Sequence, residues 1–192
     1  MNKLNLGNKF FIHELTGIGN FEEYYQILDS EGVEIAAAAE EASFGAKIAK
    51  LFLDKSLIPA IINVKDSSGD DILRIEQEFA FPQTNFSVKE PGGKCICVIN
   101  QKMSLIGSHF DIYDSNMRKI ALIMGDFRNK KYLIRRTNND LLTTINHKNS
   151  GFFRDILTTA DDYEIELENC DYTESLISLA ATLCVDFAFH ES

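Results

Sequence analysis

Residues 174–189 read ESLISLAATLCVDFAF, and from Leu176 to Phe189 only Ser178, Thr182 and Asp186 are polar. A surface helix carries one apolar stripe; this run is apolar nearly all round, so other parts of the chain must surround it. Crossing a bilayer takes about 20 apolar residues. The run is shorter than that and contains Asp186, so it reads as a buried core helix. What surrounds it has to come from the rest of the chain, and the rest of the chain reads as short strands.

A strand–turn–strand unit recurs. Glu23 to Leu28 turns at Asp29-Ser30-Glu31-Gly32 and returns through Val33-Glu34-Ile35. Ala60 to Val64 turns at Asp66 to Asp70 and returns through Ile72 to Ile75. Phe86 to Val88 turns at Glu90-Pro91-Gly92-Gly93 into Cys95 to Ile99, and His109 to Tyr113 turns at Asp114-Ser115-Asn116 into Ile120 to Met124. Tyr132 to Arg135 turns at Thr137 to Asp140 into Leu141 to Ile145, and Tyr163 to Leu167 alternates with period two. Asp, Asn and Gly suit such turns because they tolerate positive φ or bond their own backbone. Phe10-Phe11-Ile12 and Leu15 add a first strand, and Phe152-Phe153 a late one. Ten to twelve short antiparallel strands fit a sandwich or a barrel. A sandwich fills its own interior, whereas a wide barrel needs a filler, and the all-round apolar helix supplies it. A second helix is expected over Ala36–Asp54, where AAAAEEASFGAKIAKLFLD has high helix propensity and places Phe44, Ile48, Leu51 and Phe52 at helical spacing. Its apolar face is expected to pack on the barrel rather than lie in a membrane interface.

The 192 residues suit one domain with a full core. A net charge of -10 argues against general nucleic-acid binding, which depends on Lys and Arg, and against general attraction to anionic membranes. A local basic patch can override that total. Cys95, Cys97, Cys170 and Cys184 lack zinc-site spacing. Cys95 and Cys97 are expected on one side of one strand, and all four as reduced structural thiols. The first 20 residues show no secretory signal, so the expected compartment is the cytoplasm, with peripheral membrane contact as the extension.

Residues 151–163, GFFRDILTTADDY, together with IALIMGDF at 120–127 and VDFAF at 185–189, resemble the phospholipid scramblase family. The similarity runs from about Tyr24 to Phe189 and extends to the LURP-one-related and tubby C-terminal-like proteins. The resemblance implies a closed antiparallel barrel of about twelve strands around a C-terminal helix. Its members are described as Ca²⁺-dependent lipid scramblases or as membrane-tethered regulators. This chain departs from the eukaryotic pattern in three ways. It has neither the Pro-rich leader nor the Cys-rich stretch. It carries Thr159 where the calcium loop opens with Asp, and its terminal helix is too short for membrane entry.

Two site candidates follow. The basic group Arg128, Lys130, Lys131, Arg135 and Arg136, with Arg118 and Lys119 nearby, offers charge-assisted bonds to a phosphate or inositol headgroup. The plainer reading is charge decorating an exposed hairpin. Asp161, Asp162 and Glu164, continued by Glu166 and Glu168, offer oxygen ligands of the kind Ca²⁺ prefers. Alternation makes Glu164 and Glu166 an ordinary solvated strand face. Asp186 is expected to be structural, accepting hydrogen bonds from backbone or from an inward Arg or Tyr. His13, His109, His147 and His190 lack metal spacing, no GxSxG elbow is present, and Gly17-Ile18-Gly19 lacks the strand-to-helix context of a phosphate loop. The expected function is therefore a non-enzymatic binding module for membrane lipid headgroups or a protein partner. It needs no cofactor beyond Ca²⁺ at the acidic group. The alternative is a phospholipid scramblase, linked to Ca²⁺.

Overall fold

Asp or Glu opens four of five hairpin turns that share a single geometry, and this repeat builds the wall. In a computed structural model, residues 4–15, 24–41, 59–78, 84–104, 107–126, 131–148 and 162–189 are described. Among them are twelve strands: β1 (Lys9–Leu15), β2 (Tyr24–Asp29), β3 (Glu34–Glu40), β4 (Ala60–Asp66), β5 (Asp71–Glu78) and β6 (Asn85–Lys89), then β7 (Cys95–Ser104), β8 (Gly107–Asp114), β9 (Lys119–Asp126), β10 (Lys131–Arg136), β11 (Leu141–Lys148) and β12 (Asp162–Leu167). Helix α1 (Tyr172–Phe189) ends the described chain. Each strand pairs antiparallel with its sequence neighbours, and β12 returns to β1 with Lys9 opposite Glu166 and His13 opposite Asp162, closing the barrel.

The hairpins β2–β3, β4–β5, β6–β7, β8–β9 and β10–β11 turn alike. The amide of the first turn residue (Asp29, Asp66, Glu90, Asp114, Arg136) donates to the carbonyl four residues on. The fourth residue (Gly32, Gly69, Gly93, Met117, Asn139) has positive φ and donates back to the first. This is a three-residue loop closed by a bulge, and the register shifts beside each turn. Asp29, Asp66 and Asp114 also accept two backbone amides each on Oδ1, which fixes the loop. Each returning strand then carries an aliphatic residue at its second position: Ile35, Ile72, Ile96, Ile120 and Leu142, all buried or half-buried against the core.

The alternation expected of half-buried strands holds through much of the ring, whereas β1 and β12, where the barrel closes, are buried on both faces. Phe10, Ile12, Ile27, Ala38, Ile62, Ile75, Val88, Ile99, Ile112, Ile123, Ile134, Ile145 and Ile165 are buried in one cluster with α1. Nine apolar helix residues from Leu176 to Phe187 are at most 6% exposed. Each large one contributes about 1.5–3 kcal/mol by leaving water.

The helix expected from Ala36 is corrected at its start. Ala36 to Glu40 form β3, paired with β2 on one side and β4 on the other. Alanine's helix propensity is worth less here than two ladders of backbone hydrogen bonds, and the small side chains of Ala36 and Ala38 are fully buried on the inward face. Residues 42–54 of that expected helix, and Phe152-Phe153, lie outside the described residues.

Cys97 and Cys184 are buried in the core, while Cys95 and Cys170 are half-exposed, and all four are free thiols. Cys95 stands beside the register shift opposite Val88 and Lys89, which breaks the simple alternation with Cys97. Burial pushes the Cys97 thiol up to about 12, with Cys95 adding to the effect. Burial, reinforced by Cys97, raises Cys184 well above the ordinary value. At pH 8 a thiol with the Cys97 pKa of about 12 is about one ten-thousandth thiolate. Ellman's reagent is therefore expected to modify Cys95 and Cys170 in the native protein, and Cys97 and Cys184 only at the rate of global unfolding. Four thiols reacting in one fast phase would contradict this core.

Candidate functional site

The basic group is divided by the strand that carries it. Lys131 is exposed and Arg135 is half-exposed, four residues apart on β10 and so about 13 Å along it. Between them Leu133 faces outward opposite Met124 of β9, and Arg135 lies opposite Leu122. Met124 is 37% exposed, and Leu122 and Leu133 are half-buried. The outer face of β9–β10 is thus an apolar strip with a cation at each end. Lys131 itself pairs in register with Asp126, and Arg135 donates to the Asn139 carbonyl. Nearby, Lys119 contacts Asp111 at 2.5 Å. Arg128 and Lys130 lie outside the described residues.

Arg136 points elsewhere. Its Nε and Nη2 donate to the two carboxylate oxygens of Glu174 at 2.7 and 2.9 Å, and Nη2 also donates to the Asn169 carbonyl. Glu174 belongs to a capping box: Asp171 accepts the Glu174 amide, and Glu174 accepts the Asp171 amide. In the fifth turn, then, a guanidinium stands where four others have a carboxylate, and it ties the turn to the N-terminus of α1. The hydrogen bond with Glu174 raises the Arg136 pKa further above its ordinary value.

The acidic group is brought together with bases. Asp162 contacts His13 Nδ1, both buried. Glu164 receives Lys9 at 2.9 Å and Lys148 at 3.1 Å. Asp161 lies outside the described residues, and among the described residues no group of three or more His, Cys, Asp and Glu is placed to hold a metal ion. Burial works to raise the Glu164 carboxyl, but hydrogen bonds from Lys9 and Lys148 outweigh it and hold the pKa below the usual value. The Arg136 bond lowers Glu174, and the Lys89 bond lowers Glu76. A carboxylate lowered by folding stabilises the native state above its unfolded pKa, and that stabilisation is lost as pH falls through the folded value. Acidification through the carboxylate range, from about pH 5 to about pH 3, is expected to destabilise the native state through these three groups, the more modestly for their partial exposure. A Glu76→Gln/Glu164→Gln/Glu174→Gln variant should show a flatter urea midpoint across that range. An unchanged slope would refute the assignment.

The interior has a polar end. In α1, Glu174, Ser178, Thr182 and Asp186 recur every four residues, a stripe that drifts about 40° per step around the helix. The wall meets it at three heights: Arg136 at Glu174, Thr143 at Ser178 (2.6 Å), and Tyr25 and Tyr163 at Asp186. Tyr25 donates to Asp186 Oδ2 at 2.8 Å, and Tyr163 donates to Oδ1. Around this last contact, strand alternation turns Glu14, Glu40, Gln77, Tyr132 and His147 inward as well. Apart from the half-buried His147, which stacks edge-on to Tyr163, these are buried. Only Asp186 of this layer stood out in the sequence. The available signal was that Glu14, Glu40, Gln77 and His147 each fall two residues beyond an inward aliphatic or alanine.

The opposite end is apolar. Leu4 and Leu6, just ahead of β1, are buried in the core. This is the end of the five turns and of the helix cap.

A closed antiparallel barrel filled by its own terminal helix defines the class. Its matching family model is Scramblase, over residues 12–192, and the chain belongs to that family. Among solved structures, a protein of Arabidopsis thaliana determined by X-ray crystallography is similar in fold. The TM-score is 0.54 and the identity 12%, over 92% of this chain and 91% of that one. The comparison with curated proteins gives no match. Among the described residues no helix is long and apolar enough to cross a membrane.

Proposed function

We propose that this scramblase-family barrel is a binding module that takes anionic phospholipid headgroups at a membrane surface, without a catalytic step. The observation that carries the reading is the outer face of β9–β10, where Leu122, Met124 and Leu133 lie between Lys131 and Arg135. Apolar contact combined with lysine and arginine at the headgroup level is how a peripheral protein adds interfacial burial to electrostatic attraction. The patch matters more for standing on a chain whose net charge is -10. Arg136 is left out of the reading because its guanidinium is held by Glu174.

Each basic residue near an anionic surface is worth about 1 kcal/mol. Lys131→Glu/Arg135→Glu is therefore expected to weaken co-sedimentation with phosphoinositide-containing vesicles by about thirtyfold or more, with neutral vesicles as the baseline. Raised salt should mimic the variant. Pelleting that needs Ca²⁺ and survives the double variant would move the site to the acidic 161–164 stretch. Absence of pelleting in every arm would overturn the lipid reading and leave a protein partner.

A further inference from the structure

A second surface feature is independent of the β9–β10 face. The β6–β7 turn leans over the outer face of β4–β5 and leaves a cavity of about 150 Å³. Its lining includes Asn63, Asp71, Arg74, Glu90, Gly92 and Gly93. At about 30 Å³ per liquid water it has room for roughly five waters, half or less of what a drug-sized ligand needs. The cavity is partly open to solvent and suits a small polar group.

The charges in this cavity are of both signs. Arg74 is held from several sides: Nε donates to Glu76 at 2.8 Å, and Nη1 reaches Asn63 at 3.4 Å and Glu41 at 3.5 Å. Unlike Arg136, whose Nε, Nη1 and Nη2 all donate to protein oxygens, Arg74 uses only Nε and Nη1 in these bonds, so its fixed guanidinium still offers Nη2 to an anionic oxygen. Asp71 and Glu90 also line the cavity, each with a flexible lysine as its partner, Lys65 at 3.1 Å and Lys94 at 3.7 Å. The lysine side chains are 54% and 80% exposed, so a ligand cation displaces them at small cost. Gly92 and Gly93 present bare backbone, and a Cβ at either would meet nothing within 4 Å. A free anion meets two carboxylates here, and a free cation meets Arg74. A molecule carrying both charges sets its ammonium group against Asp71 and Glu90, which offsets their repulsion of its anionic end, although Glu76 and Glu41 remain on Arg74.

We propose that this cavity binds a small zwitterion, its anionic oxygens on Arg74 and Asn63 and its ammonium group beside Asp71 and Glu90. Phosphoethanolamine, free or as a lipid headgroup, and small amino acids share that chemistry.

The test is an amide-resolved NMR titration of the full chain with phosphoethanolamine, glycine, ethanolamine and inorganic phosphate, each at millimolar concentration. Phosphoethanolamine or glycine is expected to shift the amides of Asn63, Gly92 and Gly93, and Arg74→Gln to weaken that response at least about tenfold. Ethanolamine and phosphate alone should be weaker by a similar factor. Asp71→Asn should lower zwitterion affinity while improving that of phosphate, a reversal that loss of folding cannot produce. Vesicles with and without phosphatidylethanolamine separate the lipid-borne from the free source. Equal responses to phosphate and to the zwitterions, responses unchanged in Arg74→Gln, or no response at these amides would overturn the proposal. Lys131→Glu/Arg135→Glu should leave this titration unchanged, so failure of the membrane-surface reading and failure of this one are distinguishable.

Discussion

Asp186→Ala is expected to destabilise the barrel by about 2–5 kcal/mol, because two buried tyrosine hydroxyls each lose a hydrogen-bond acceptor at about 1–3 kcal/mol. The carboxylate is 3% exposed and accepts the hydroxyls of Tyr25 and Tyr163. Alanine removes this acceptor from both tyrosines at once and leaves a gap beside Phe187. Asp186→Asn keeps the volume and one oxygen, so it should cost about 1–2 kcal/mol, the loss of a single buried bond. Urea denaturation followed by circular dichroism reads both. An alanine variant within about 1 kcal/mol of wild type would mean that Asp186 contributes no anchoring.

Gly125→Ala is expected to cost about 3 kcal/mol, or to prevent folding altogether. Gly125 lies in β9 opposite Tyr132 of β10. A Cβ built on it would stand 2.1 Å from the Lys131 carbonyl oxygen and 2.8 Å from the Tyr132 Cα. Both obstacles are backbone, so no side-chain rotation relieves the clash; β9 and β10 would have to part. For a chain of this size 3 kcal/mol lowers the melting temperature by about 6–12 °C. A thermal scan showing an unchanged melting temperature would mean that the two strands are less closely apposed than described. Gly92→Ala provides the contrast. There the space is open and only the positive φ of 95° opposes the substitution, so the cost should stay near 1 kcal/mol.

The barrel was legible from local signals. The run from Leu176 to Phe189, apolar except for Ser178, Thr182 and Asp186, required an enclosing wall, and the Asp- and Gly-bearing turns marked the hairpins that make it. What misled was propensity: Ala36 to Glu40 look helical alone and become a strand because β2 and β4 flank them. The candidate sites were harder to read because their contacts are not local. Arg135 and Arg136 are adjacent in sequence, yet the bulge at Ile134/Arg135 accompanies a parting of their side chains. Arg135 bonds its own turn, and Arg136 reaches Glu174, 38 residues away. Likewise the Tyr25 hydroxyl meets Asp186 across 161 residues. Strand alternation predicts that Tyr25 faces inward, but not which helix residue it will meet. That depends on the axial height of α1 in the barrel, which the contacts of Glu174 with Arg136, Ser178 with Thr143 and Asp186 with the two tyrosines mark.

Eleven of the twelve strand pairings join sequence neighbours and can zip as hairpins or adjoining strands; the last joins Lys9 to Glu166. During synthesis the ribosome releases the wall before its filler. Until residues 172–189 emerge, a curved sheet holds its apolar inner face toward water, with β1 and β12 as open edges. Closure is then an end-to-end event whose loop spans more than 150 residues, and loop entropy makes such events slow. A nascent chain stalled before Tyr172 should therefore need a chaperone and aggregate without one, while the closed barrel, in which each of the twelve described strands is paired on both sides, should not.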